Sequence, residues 1–599
     1  MNPDGWPAVE SPSRILTAGH RLSDSATAEA VEMNQRVHLC GPEGERAAHF
    51  ADPGRRPMFV LAVRFNLARW ALAAGVTAVT VLAGGCSSGN GDAAGSPGGA
   101  GRSGGTLTFA VGTDAGCVDP QQAGSSDTVY ALRQTVDSLT DQDPATGKIV
   151  PWLAQSWEIG ADASTFTFHL RPGATFSDGT PVNAQVVKDN FDAIPKLGAL
   201  AIQATGYLSG YVGTTVVDDL TAKVAFTGPN AQFLQATTTS SLGLVAASSV
   251  AKTPQQRCSD GVIGSGPFVL SGYRPNQSIT LVKRAGYAWG SSLWTKPGEA
   301  YLDSLVFKVV PEAGVRTGSL VSGQVDAIGR VGRADEAALR AAGVGLQAYT
   351  IPGVGYNLGF NNARPIVHDA AVRQAIMVAV DRRQIVDTVF PSGTQPATSV
   401  LARTTPGYRD LASAVTFDAA RARSLLDSAG WAAGGDGIRE KSGTRLSLTV
   451  VWFANAATYQ PAVELIQQQL KAAGVELVLK ELQVAQFPQL LKSGDFDAMW
   501  GGNYSRADPD SLRTLYSTRL GNAYRLPVTR LDTLLAQQEA EPDAARRQDL
   551  VGEAQELIVR DAYVIPVVDQ QTELGVSPRV HDLTFAVSGD IQLHDAWKR

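Results

Sequence analysis

Cysteine is scarce in this chain, four residues in 599, which excludes a small disulfide scaffold. Charge of one sign is missing as well: 51 Lys and Arg stand against 57 Asp and Glu, for a net charge of −6. The basic residues are scattered, so the basic face that phosphate contacts require is not there and nucleic acid is excluded as a partner. The apolar run from Trp70 to Ala83 is only 14 residues, where roughly 20 are needed to span a bilayer. Paired histidines are absent too, since His169, His368, His581 and His594 lie far apart. No nucleophile elbow, Walker loop or dinucleotide fingerprint occurs. The chain therefore reads as a binding protein rather than an enzyme, with no cofactor, no metal and no catalytic residue.

What is present is 44% hydrophobic residues, enough for large cores and more than one domain. Residues 1–57, rich in Gly, Pro, Arg and acids without apolar periodicity, read as untranslated or disordered. Met58 begins a signal peptide, 58–85: Arg64 and Arg69 precede the apolar run, and small residues follow it. Leu82-Ala83-Gly84-Gly85-Cys86 then resembles the lipobox of bacterial lipoproteins, which implies a lipid anchor on Cys86 and a place on the outer face of the cell membrane. Residues 86–105 have the Gly, Ser and Ala content of a flexible tether. Cys117 and Cys258 form a disulfide if the compartment is oxidising, or remain two separate buried thiols.

From Thr106 the pattern is α/β. Thr106 onward alternates as a strand, Asp127 to Leu139 reads as a helix, Thr165 to Leu170 as a strand, Asp178-Gly179 as a turn and Val182 to Ile194 as a helix. Asp369 caps a helix with Val372, Ile376, Ala379 and Val380 on one face, and Asp381 with Gln384 starts the next. Leu446 to Phe453, a helix from Pro461 closed by Gly474, and Val475 to Leu482 make a βαβ unit, hence a parallel sheet. Phe496 to Trp500 is a further strand, and the loop behind it falls where ligands bind in open α/β sheets.

Five blocks in order carry a family resemblance: Leu153 through Trp157 to Phe191; Gly264-Ser-Gly-Pro-Phe268 with Gly286-Tyr-Ala-Trp289; Leu320 to Asp326; Phe360-Asn361 to Arg382; and Ala507 to Asp510. Together the blocks are similar to the family 5 extracytoplasmic solute-binding proteins of ABC importers, the dipeptide, oligopeptide and nickel type. The resemblance implies a two-lobe periplasmic-binding-protein fold of type II with an extra inserted subdomain and a hinge. Lobe I is expected at 106–148, 260–311 and 564–599, the inserted subdomain at 149–259 and lobe II at 312–563. The implied function is capture of a small peptide-like or other solute by a monomer that delivers it to permease and ATPase subunits. The alternative is a ligand-sensing or chaperone-like lipoprotein that keeps the fold without transport.

Ligand-binding candidates follow. Trp500, Asn503, Tyr504, Ser505, Arg506 and Asp508 crowd aromatic, amide and charged groups onto a loop with two glycines. Arg506 either receives an anionic or hydroxyl-rich ligand or pairs with Asp508 or Asp510. In peptide-binding relatives an acidic residue precedes the Asp-Pro step to hold an α-amino group, and Ser505 stands there instead. On the other lobe the resemblance points to Gly124 to Tyr130 as a cleft wall; Tyr130, Tyr356 and Asn361 complete the set, the tyrosines offering wide contact with a polar tip.

Overall fold

The computed structural model describes residues 101–124, 126–453 and 456–599. The expected leader, Cys86 and the tether up to residue 100 lie outside these. The last tether positions are held against the body: Gly104 N donates to Tyr301 O, 2.8 Å, and Gly105 N to Asp303 Oδ2, 3.0 Å. No helix among the described residues is long and apolar enough to cross a membrane.

Thr106–Val111, buried on both faces toward its carboxyl end, is the middle of a seven-stranded sheet. The order is Gly345–Thr350, Gln571–Val576, Ala327–Ile328, Thr106–Val111, Ser304–Val309, Ser278–Lys283, Phe268–Arg274. Its central three strands are parallel. A second sheet, of five strands, runs Glu476–Leu482, Ser447–Phe453, Ala498–Gly501, Tyr356–Phe360, Val564–Val568. The expected βαβ unit is here: Ser447–Phe453 pairs in parallel with Glu476–Leu482, and helix Tyr459–Ala472 between them buries Val463, Ile466 and Leu470. Gly474 closes it at φ +87°, a conformation that costs a residue with a Cβ. A four-stranded antiparallel sheet built on Ala154–Ile159, Thr165–Leu170, Thr221–Phe226 and Tyr211–Asp218 forms the inserted subdomain. Each of the three sheets has its own apolar core, the subdomain's packed with Phe166, Phe168, Phe191 and Phe233.

Two expectations are corrected. Ala327–Ile328 and Gly345–Thr350 belong to the lobe I sheet, so lobe II does not begin at residue 312. Leu320, Val325, Ile328 and Leu339 share a small core with Ala110, and this apolar face holds the segment on lobe I. At the other end Val564–Val568, fully buried, is an edge strand of the lobe II sheet, so the chain returns to lobe I only after Val568. The lobes are thus joined by two short crossings, Ile351-Pro352 and Asp569-Gln570, bonded to each other through Ile351 N and Gln570 O, 2.8 Å. The helix at Asp127 is also shorter than expected, ending as Ser126–Leu132 with a 3-10 turn to Thr135, where Val136 turns extended.

Cys117 and Cys258 are joined by a disulfide spanning 141 residues. Beside it Arg257 and Asp119, both buried, form an ion pair of 2.9 Å. Together they fasten the return of the inserted segment onto lobe I.

Candidate functional site

In each lobe the parallel strands point their carboxyl ends at one edge, where side chains of the following loops can meet a ligand. On lobe II that edge is the loop after Ala498–Gly501. Gly501 and Gly502 adopt φ +114° and +53°. A Cβ on Gly502 would lie 2.5 Å from the Tyr524 hydroxyl and 2.7 Å from Asn357 Oδ1, so the close approach requires glycine. Asn503 then accepts from the Tyr459 hydroxyl, 3.1 Å, and donates to Gln570 Oε1, 2.9 Å. Ser505, exposed, donates to the same oxygen at 3.1 Å. Tyr504–Ser505 pairs antiparallel with Gly353–Val354, and Arg506 N donates to Pro352 O, 3.1 Å. The loop is therefore bonded to both crossings between the lobes.

Below the loop is an aromatic wall. The Tyr356 ring stacks between Phe390, 5.8 Å, and Trp500, 6.4 Å, with Tyr459 edge-on at 5.5 Å. Burial pushes the Tyr356 hydroxyl up to about 12 and raises Tyr459 as well, so both remain neutral donors. Trp500 is buried and its indole N–H has no partner among the described residues.

Arg506 is resolved in neither of the ways expected. Asp508 is held bidentately by Arg547 at 2.7 Å, and Asp510 by Arg513 at 2.8 and 2.9 Å. Arg506, only 6% exposed, points instead into the inserted subdomain. Its guanidinium lies 4.4 Å from the Tyr207 ring centre and 5.1 Å from that of Tyr504. It donates to Gln232 Oε1 and to the Tyr504 hydroxyl. It bridges lobes and is closed to a ligand in this arrangement.

Two further candidates fall away from the cleft. Asp508 is buried in its ion pair with Arg547. Asn361 follows a strand antiparallel to Ala498–Gly501, which places it at the opposite edge of the sheet, donating to Gly494 O and Phe496 O. Tyr130 sits under the lobe I edge, 4% exposed, its hydroxyl 3.1 Å from Thr572 Oγ1.

The lobe I edge is ionic. Asp127 accepts from Thr113 Oγ1, 2.6 Å, and its other oxygen meets Arg330 Nε at 3.0 Å. Arg316 donates to the carbonyls of Val310 and Pro311. A Cβ on Gly112 would stand 3.4 Å from Arg316 Nη1 and Asp127 Oδ2 and 3.6 Å from Arg330 Cδ, ordinary contact distances that mark Gly112 as the point where the three groups meet.

Tyr459, Phe390, Gln232, Gln570, Arg316 and Arg330 are not among the residues that the sequence points to, and Asp127 is there only as part of the segment Gly124 to Tyr130. Gln570 had a readable signal, the polar Asp569-Gln570-Gln571 between two apolar strands.

Two α/β lobes that meet over such a cleft, joined by two short crossings, define a solute-binding protein of the periplasmic type. The chain belongs to the bacterial extracellular solute-binding proteins, family 5: the family model, described as its Middle part, matches residues 148–523. Members of this family are extracytoplasmic binding proteins, not enzymes. Among relatives, Di/tripeptide-binding protein 1 of Pseudomonas aeruginosa (strain UCBPP-PA14) is 25% identical over 507 residues, 79% of this chain and 90% of its own. The dipeptide-binding protein of Escherichia coli (strain K12) is 28% identical over 406 residues, 62% and 71%. Among solved structures, NikA from Brucella suis in complex with Fe(III)-EDTA superposes with a TM-score of 0.71 at 22% identity, covering 82% of this chain and 100% of that one.

Proposed function

We propose that this chain is the lipid-anchored substrate-binding component of an ABC importer, taking up a small peptide-like solute between its lobes and delivering it to permease and ATPase subunits. The observation that carries the reading is the loop Asn503 to Arg506, bonded at once to both crossings and, through Arg506, to the inserted subdomain. A solute touching this loop acts directly on the hinge, which makes lobe closure a population shift toward the state with more contacts. Peptides are the cargo named most often among the relatives, with heme and nickel beside them. The anchor would be Cys86 carrying more than one acyl chain, since a single chain binds membranes only marginally.

The test is one preparation from the native host. Full-length protein should fractionate with membranes, and Cys86→Ser should move to the soluble fraction. Native mass spectrometry should show a co-purifying small solute that a di- and tripeptide pool displaces. Membrane retention of Cys86→Ser would overturn the anchor, and no bound solute with no thermal shift from any pool member would overturn the cargo.

A further inference from the structure

We propose that Arg330 selects the solute on the lobe I side, and that the solute carries a carboxylate held end-on by the two Nη groups of that guanidinium. This rests on the solute-binding reading and adds the charge of the cargo to it.

Arg330 follows Ala327–Ile328, one of three parallel strands whose carboxyl ends form the lobe I edge. Nε is already taken by Asp127, while neither Nη group has a hydrogen-bond partner among the described residues. The side chain is 52% exposed. The free part is thus the flat end of the fork, which matches the two oxygens of a carboxylate. Arg316 stands behind it and shares the Asp127 carboxylate, with Asp335 and Glu312 acting on Arg316 as further acids, so the charge that faces outward is the end of the Arg330 fork. On the lobe II side Arg506 is buried and bonded to Gln232 and Tyr504, and Arg403 is paired with Asp569.

The backbone supports the assignment. Arg330 adopts φ +55°, left-handed and uncommon for a residue with a Cβ. Across the cleft stands Tyr356: burial raises its hydroxyl, and the Arg330 charge opposes that rise from the other lobe. A solute with its carboxylate on Arg330 faces Tyr356, the half-buried ring of the lobe II wall.

The probe is a set of di- and tripeptides, each as free acid and as C-terminal amide, measured by calorimetry on the full mature chain. Free acids should bind at least tenfold tighter than their amides. Arg330→Gln should weaken the acids by roughly ten- to hundredfold and bring them level with the amides, and Arg330→Lys should restore part of the difference. Equal binding of acid and amide by the wild type, or a preference that survives Arg330→Gln, overturns this proposal while leaving solute binding intact. Binding of neither series overturns the peptide cargo and this proposal together.

Discussion

The two edges that face each other across the cleft are built from opposite materials. Lobe I presents charge, with Asp127, Arg316 and Arg330 gathered over Gly112. Lobe II is built of rings and amides, the half-buried Tyr356 backed by the buried Tyr459 and Trp500, with Asn503 and Gln570 beside them. The two walls read different features of a solute. An aromatic surface accepts many shapes because each contact is weak and non-directional, whereas a guanidinium fork rejects whatever cannot supply its acceptors. Such a division lets the side-chain wall vary in what it admits while the charged wall fixes one end.

Breaking the aromatic side should have the largest effect. Trp500 is 1% exposed, and Trp500→Ala removes an indole from the middle of the lobe II core as well as from the wall. The expected loss is about 3 to 5 kcal/mol in urea unfolding, together with the loss of every solute the wild type binds. A change below 1 kcal/mol would mean that the wall is loosely packed and would undo the picture of a stiff socket.

The ionic side should show itself through pH. Glu573, on a lobe I strand next to the hinge, is 4% exposed and its Oε2 has no partner among the described residues. Burial, and then the charge of Glu336, push its carboxyl from 4.5 up to about 7, against the pull of Arg340. A carboxyl with a raised pKa holds its proton longer in the folded state than in the unfolded one. Stability is therefore lost as pH rises from about 4.5 through about 7. Glu573→Gln should melt above the wild type at pH 8 by on the order of 1 to 3 kcal/mol, and the two curves should converge toward pH 4.5. A pH-independent gap would assign the effect to packing instead.

Much of this contrast was legible in the chain, and the illegible part has a physical reason. Local signals worked: the strand at Thr165–Leu170, the cap of Asp369 on Ala371 N and the parallel pairing after Pro461 follow from alternation, capping and short connections. The loop at Trp500 to Arg506 was visible because its chemistry is contiguous in sequence. The ionic edge was not, because Asp127, Arg316 and Arg330 come together only when strands far apart in sequence pair side by side. The lobe boundaries failed for a related reason. A strand of two residues, Ala327–Ile328, carries too little periodicity to be read, and only its place beside Thr106–Val111 shows which lobe owns it.

The finest test concerns Arg506, the residue that sequence would make a ligand contact and that the fold uses between lobes. A guanidinium between two tyrosine rings with amide and hydroxyl acceptors is held without a carboxylate, which suits a contact that must open and close. A buried ion pair across the same gap would lock it. Arg506→Ala should therefore shift the ligand-free protein toward the open form by only a few-fold, on the order of 1 kcal/mol, with little change in melting. Spin labels on the exposed positions Lys223 of the inserted subdomain and Lys480 of lobe II can read this: the distance distribution should lengthen in Arg506→Ala and in Gln232→Ala alike. Identical distributions in wild type and both variants would return Arg506 to the ligand, and the contrast between a charged lobe I and an uncharged lobe II wall would no longer hold.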